Sequence, residues 1–286
     1  MLQALLSGIL VGGVYGLFSM GFSIAFGVMR IVNFAHGELV MIGMFAAFFA
    51  YSAAGVDPLV AIPLAFVVVA ALSAVLYLLV YRRFVGRATL QQLLAAIAVA
   101  LILQTSATLI FGPSAHAVRS NWGSQYLLIG PIFLSYAQLA AFAISVACVL
   151  TVEAVLRKTS WGKAIRAVAD DPEAAQLVGL NSQVINITAF ACSGALAGIA
   201  GAVLVSYYPV SPHVGFLLMP IALIATVLGG LGSIGGAFVG GIICGVIQQM
   251  TSVLWTSALQ DVPLYGVLLL LLAFRPYGLF GRVSAH

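Results

Sequence analysis

The sequence predicts an all-α polytopic membrane protein with eight to ten transmembrane helices, and three observations lead there. Only 6% of the residues are charged and 63% are hydrophobic, with a mean hydropathy of +1.18. A water-facing domain carries roughly 25% charged residues, so the surface of this chain is written for lipid. Second, the charges are segregated. No Asp, Glu, Lys or Arg occurs from Met1 to Met29, Pro58 to Tyr81, Ala88 to Val118, Ser120 to Val152 or Ala174 to Gln260. Each run holds at least one helical crossing of roughly 20 residues, and the last holds three or four. Third, the basic residues cluster between those runs, as the positive-inside rule requires.

Taken in order, the crossings fall near 2–28, 38–56, 58–80, 89–111, 136–156, 184–206, 216–232, 235–255 and 262–280. Arg82, Arg83 and Arg87 form one basic cluster and Arg157 to Arg166 a second, while Arg30, Arg275 and Arg282 mark two further ends. Nine crossings from an outer N-terminus place all of them, and the C-terminus, on the cytoplasmic side. Asp57, Asp261 and the loop 112–135 with Trp122 and Tyr126 then lie outside, and Arg119 is the basic residue left with them. The net charge of +4 is thereby explained by topology, and no nucleic-acid partner is called for. No Lys or Arg precedes the apolar stretch from Leu2, so the start lacks the form of a cleaved signal peptide. Cys148, Cys192 and Cys244 sit inside apolar spans and read as small packing residues.

The irregular place is 216–240, where Leu228-Gly-Gly-Leu-Gly-Ser-Ile-Gly-Gly236 is too glycine-rich for a tight loop between two ordinary helices. A broken or re-entrant segment is expected, of the kind tolerated where protein or a cavity surrounds it. Elsewhere glycine repeats every four residues: Gly8, Gly12 and Gly16, then Gly194 and Gly198, and later Gly236 with Gly240 and Gly241 with Gly245. Four residues is about one helical turn, so each ladder presents a flat face for close helix contact.

Between the fifth and sixth crossings lies the loop 157–180, which carries seven of the eighteen charges. Thr159 or Ser160 caps a short helix through about Ala169, and Asp171 caps a second, with Pro172 at its first position and Glu173 in its first turn. Gly179 suits the left-handed residue that ends it. The second helix is expected to expose Ala174, Ala175 and Val178, a small apolar face bordered by acids. That face fits a groove on a partner protein; three acids within four residues argue against a rest on anionic headgroups.

The pattern Gly162-x-Ala-x-Arg166-Ala167-x-Ala169-x-Asp171-x-Glu173-Ala174-Ala175-x-x-x-Gly179 resembles the coupling loop of ATP-binding-cassette importer permeases. The likeness runs on through Asn33-Phe-Ala-His-Gly-Glu-Leu39, Ala195-Leu-Ala-Gly-Ile-Ala-Gly201, Leu228 to Gly236 and Pro276-Tyr-Gly-Leu-Phe-Gly281. In that order they resemble the LivH-type permeases of branched-chain amino acid importers. The resemblance implies one transmembrane permease domain over 1–286, with an inverted-repeat fold like the ribose and vitamin B12 permeases. It also implies a second related permease subunit, two ATPase subunits that hold ATP and Mg, and a periplasmic substrate-binding protein. Gly162, Arg166, Ala167, Asp171, Glu173, Ala174, Ala175 and Gly179 would be the ATPase-coupling residues. The chain has no G-x-x-x-x-G-K-[ST] phosphate loop, so no ATP cofactor is expected on it by that motif.

Asn33, His36 and Glu38 cluster where the first crossing gives way to the second. A carboxylate near the membrane is a functional candidate. Two roles stand open: fixing the turn, with Glu38 paired to His36 or Arg30, or lining and gating the pathway. Ser193, Ser206 and Thr226 are candidate hydroxyl groups of a weakly binding pathway, which suits a carrier whose specificity resides in a binding protein. The triplet His36-Gly-Glu38 lacks the second ligand pair of a zinc site, His116 and His213 read as outer-loop residues, and no Ser, His and acid share a loop. Neither a metal nor a catalytic group is therefore expected. An ion-coupled secondary transporter is the rival class, disfavoured because Glu38 alone comes close to an ionisable group at mid-depth. Within the importer class, urea, short amides and aromatic acids stand beside amino acids as cargo.

Overall fold

The structure, a computed structural model, describes residues 1–118, 125–129, 132–256, 259–274 and 278–279. Arg119, Trp122, Arg275, Pro276, Tyr277 and the stretch from Phe280, with Gly281 and Arg282, lie outside the described residues. Among the described residues nine apolar helices match the nine predicted crossings: α1 (Leu2–Met29), α2 (His36–Ala54), α3 (Ile62–Leu79), α4 (Thr89–Phe111), α5 (Tyr136–Lys158), α8 (Ser182–Leu204), α9 (Val214–Gly229), α10 (Ile234–Leu254) and α11 (Val262–Phe274). The loop after α5 holds α6 (Ser160–Asp170) and α7 (Pro172–Leu177). Among the described residues seven of the helices are long and apolar enough to cross a membrane, whereas α9 and α11 are shorter. One element was not foreseen: β1 (Tyr126–Ile129) and β2 (Ile132–Ser135) form an antiparallel hairpin, Tyr126 opposite Ser135, within the predicted outer loop.

The glycine ladders set the interior. α1 runs antiparallel to α10, with Gly8 against Val246, Gly12 against Ile242 and Gly16 against Phe238. From the other side Gly241 faces Gly16 and Gly245 faces Gly12, so backbone meets backbone along both helices. A second contact joins α8 to α3, where Gly194 meets Ser73 and Val69 and Gly198 meets Ala65. Gly43 of α2 closes on Gly198, and Gly201 on Val40. Lipid supplies no hydrophobic drive between helices, so dispersion at such close approach is what holds them. α1 is consequently buried along nearly its whole length. By contrast α3, α4 and α5 keep broad apolar faces exposed, as helices bordering lipid do.

The α3–α8 register also fixes which ends lie together. Ala65 opposes Gly198 and Ser73 opposes Gly194, so the end of α3 and the start of α8 share one end of the bundle. The arginines of the 3-10 turn Tyr81–Arg83 and the α6–α7 loop thus emerge together.

The glycine-rich stretch 228–236 departs from expectation. It is a tight turn, Gly230–Ser233, between two helices packed side by side. Gly229 lies on Gly236 and Gly240 on Ala225, an approach that side chains would forbid. Gly230 and Gly232 take φ of 94° and 83°, where a Cβ is strained. Ser233 caps α10 through the Gly236 N–H at 3.2 Å. The irregular element is α9 itself, whose 16 residues span about 24 Å, short of a hydrocarbon core of about 30 Å. Pro220 inside it leaves one carbonyl without its usual helical donor.

Candidate functional site

Two places in the fold gather the polar residues. The first is the start of α2. α1 ends at Met29 with Arg30 in the left-handed region at φ 53°, and residues 31–35 then fold back along α1. The Nε2–H of His36 donates to the Phe18 carbonyl at 2.8 Å. A carbonyl only accepts, so the proton sits on Nε2 and a neutral ring leaves Nδ1 an acceptor. Phe18 lies eleven residues before the end of α1. At 1.5 Å per residue, α2 begins roughly 16 Å inside the bundle from that end. Asn33 braces the fold-back: its Oδ1 accepts from the Ala35 N–H at 3.0 Å and from the Tyr81 hydroxyl at 2.6 Å. Tyr81 is fully buried and its ring packs at a 40° tilt on Phe190 of α8, so the α1–α2 link is tied to both the end of α3 and α8.

The start of α9 arrives at the same spot. The backbone of Gly215 lies against Gly37, and the Glu38 carboxylate lies against Gly215. Outside this contact, Gln104 Nε2 and His213 Nδ1 are joined at 2.9 Å, and His116 pairs with Val210 across a short bridge. Neither α2 nor α9 has a side-chain cap, so the partial positive charge of two helix N-termini faces one buried carboxylate. That offsets part of the cost of burying it. The pairing of Glu38 with His36 or Arg30 is not found. Among the described residues no ion pair involves Glu38, which is 3% exposed, while Arg30 faces outward. The helix ends take the place of the expected cation. His116 and His213 lie in loops, as the sequence indicated, and are hydrogen-bonded there, His116 to the Phe111 carbonyl and His213 to Gln104.

Several polar atoms here are buried without a hydrogen-bond partner among the described residues: Asn33 Nδ2, His36 Nδ1, Glu38 Oε2 and Ser193 Oγ. Ser193 approaches the same turn of α1 as His36, both lying beside Gly21. Thr226 is different, since its hydroxyl donates to the Ser19 carbonyl at 3.2 Å and bridges α9 to α1. Ser206 is buried too, in the turn after α8. Among the described residues no group of three or more His, Cys, Asp or Glu is placed to hold a metal ion. Sequence reading missed Tyr81 and Gly215; a tyrosine ending an apolar span beside three arginines was the available signal for the first.

Tyr81→Phe is expected to destabilise the protein by about 1 kcal/mol, because Asn33 keeps its second donor. Asn33→Leu should cost about 2 kcal/mol, since it strands a buried hydroxyl and releases the turn. Thermal unfolding in detergent reads the difference; equal losses would detach Asn33 from this bracing role.

The second place is the α6–α7 loop. Thr159 caps α6 through the Gly162 N–H at 3.2 Å. Gly162 lies so close to the Leu156 backbone that no larger residue fits without a shift. Arg166 donates back to the Leu156 carbonyl, which ties α6 to the end of α5. Trp161 Nε1–H reaches Thr188 Oγ1 at 3.0 Å and ties it to α8. Asp171 caps α7 twice, accepting from the N–H groups of Glu173 and Ala174 at 2.9 and 3.0 Å. Gly179 closes the loop at φ 87°. Ala167 sits between these anchors on α6. The expected apolar face needs one correction. Ala175 turns inward and is buried, because a six-residue helix pinned at both ends has one side against the bundle. Leu177, 89% exposed, stands in its place beside Ala174 and Val178.

Residues 4–273 match the family described as branched-chain amino acid transport system / permease component. The chain is 31% identical to the high-affinity branched-chain amino acid transport system permease protein BraD of Pseudomonas aeruginosa, over 98% of this chain and 96% of that protein. It is 30% identical to LivH of Escherichia coli over the same shares. A probable LivH permease of Methanocaldococcus jannaschii shares 27%, covering 93% of this chain and 88% of that one. No solved structure matches it. With the match running nearly end to end, the chain belongs to the permease component family of branched-chain amino acid transport systems.

Proposed function

We propose that this chain is one permease subunit of an ATP-binding-cassette importer carrying branched-chain or closely related amino acids across a bacterial inner membrane. It works with a second related permease, two cytoplasmic ATPase subunits that bind ATP and Mg, and a periplasmic binding protein. The N-terminus faces the periplasm and the C-terminus the cytoplasm. The observation that carries this reading is the α6–α7 loop: a rigid, doubly capped pair of short helices at the arginine-rich end, presenting Ala174, Leu177 and Val178 outward.

ATP binding draws the two ATPases together, and their grooves move α7. Because α6 is bonded to both α5 and α8, that displacement passes into the two flanking helices. α8 packs on α2 and α3 through glycine, so tilt reaches the junction where α2 and α9 begin. There the unpartnered atoms of His36, Glu38 and Ser193 meet a passing solute or close the way to it. Small hydroxyl and apolar groups bind weakly, as release requires.

The test is reconstitution with the ATPases, second permease and binding protein of the same host in proteoliposomes. Leucine uptake is expected only with ATP on the ATPase side. Uptake that follows an imposed ion gradient without ATP would replace this reading by a secondary transporter, and ATP-driven uptake of amides or urea but not leucine would change the cargo.

A further inference from the structure

One surface is used by nothing described so far. Between the 3-10 turn Tyr81–Arg83 and the first turns of α4 lies an open groove of about 650 Å³, lined by Arg83, Phe84, Arg87, Gln91, Leu94 and Ala95. Its shape is held from beneath. Buried Gln92 spends both amide hydrogens on the loop, donating to the carbonyls of Phe84 at 3.1 Å and Arg87 at 3.0 Å. Gly86 at φ 74° makes the bend, and the Arg87 N–H returns to the Phe84 carbonyl at 3.0 Å. Arg83 is steadied by its bond to the Leu79 carbonyl at 2.6 Å. Arg83 and Arg87 thus line a groove whose loop is held by hydrogen bonds, with Arg82 next to Arg83 in the chain and no acidic partner for any of them among the described residues.

The wall of the groove continues up α4. Leu90, Leu94, Ile97 and Leu101 recur at three- and four-residue steps and are 65%, 59%, 37% and 56% exposed. They form one exposed apolar stripe about 16 Å long that leads from the arginines along the membrane-crossing length of α4. A water-soluble partner could reach the arginines but not a stripe on a membrane-crossing helix.

We propose that this groove binds an anionic phospholipid, its phosphate on Arg83 and Arg87 and one acyl chain along Leu94, Ile97 and Leu101. Guanidinium pairs phosphate oxygens through two parallel N–H bonds, and basic pockets at the inner leaflet take such headgroups. The placement rests on the cytoplasmic orientation proposed above and is independent of the cargo. The ligand chemistry is a phosphate group, which a lipid or a free phosphate could each supply, and the stripe on α4 selects the lipid.

The test uses the full chain in neutral detergent, with lipid binding read by native mass spectrometry and by thermal protection. Phosphatidylglycerol should bind and protect, while phosphatidylcholine and inorganic phosphate at the same concentration should not. Arg83→Gln/Arg87→Gln should weaken phosphatidylglycerol binding about 30-fold, and Arg157→Gln should leave it unchanged. Leu94→Asn/Leu101→Asn should weaken lipid binding without affecting the arginines. Equal binding of phosphatidylcholine, equal protection by inorganic phosphate, or full lipid binding by the double arginine variant would overturn the proposal. Monodisperse elution of each variant separates loss of the site from loss of fold. A cytoplasmic cysteine-labelling result at Arg87→Cys tests the orientation separately.

Discussion

Leucine uptake by a Leu177→Asp/Val178→Asp variant is expected to fall about 30-fold or more, with the protein still in the membrane. Both side chains stand almost fully free of their own chain, at 89% and 77% exposure, so their replacement leaves the interior untouched. The caps at Thr159 and Asp171 are retained, and with them α6 and α7. An apolar knob of this kind holds by entering a pocket, and a desolvated charge reverses that preference. Glu173→Arg/Ala174→Arg should have the same result by changing the sign of the acidic rim. Copurification of the ATPases measures the contact and proteoliposome uptake measures its consequence. Wild-type uptake in both variants would remove α7 from the coupling path.

The larger effect on stability is expected at the α1–α10 contact. A Cβ on Gly12 would stand 2.7 Å from the Ile242 Cα and 2.8 Å from its carbonyl oxygen. Both obstacles are backbone, so no rotamer change relieves them. The helices must separate, and dispersion along the whole seam weakens with distance. Overpacking a rigid interior costs about 1–3 kcal/mol, and Gly12→Leu should reach or exceed the upper figure, leaving little folded protein. Gly12→Ala should fall between. Gly235→Ala supplies the control, since nothing lies within 4 Å of its added Cβ. Resistance to unfolding in mixed detergent micelles would rank the three, and a Gly12→Leu variant as stable as Gly235→Ala would contradict the contact.

The places where reading the residues and folding them diverge share a cause. Helix existence follows from composition, because a charge-free run in lipid has no other way to satisfy its backbone. Capping of α6 and α7 is equally local: Thr159, Asp171, Pro172 and Gly179 act on amides two or three residues away. Errors begin where depth or a distant neighbour matters. The glycines of 228–236 look like an interruption in one dimension. In three they are a surface, since Gly229, Gly236 and Gly240 let α9 and α10 touch. Ala175 reads as exposed until the anchors of α7 show which side faces the bundle. Glu38 asks for a cation by its chemistry and receives two helix ends instead, one of them 177 positions away at Gly215.

The sequence alone determined that this chain lives in a membrane as a helical bundle, where its crossings run, and that a loop of two capped short helices joins the fifth to the next. Those properties depend on transfer from water to lipid and on contacts within a helical turn. Only the tertiary structure decided that α2 and α9 start inside the bundle, meet at Glu38 and Gly215, and are braced by Asn33 and Tyr81. These depend on which glycine faces come together, and many faces of similar composition compete for each partner. Close packing between distant segments, not hydropathy, makes that choice.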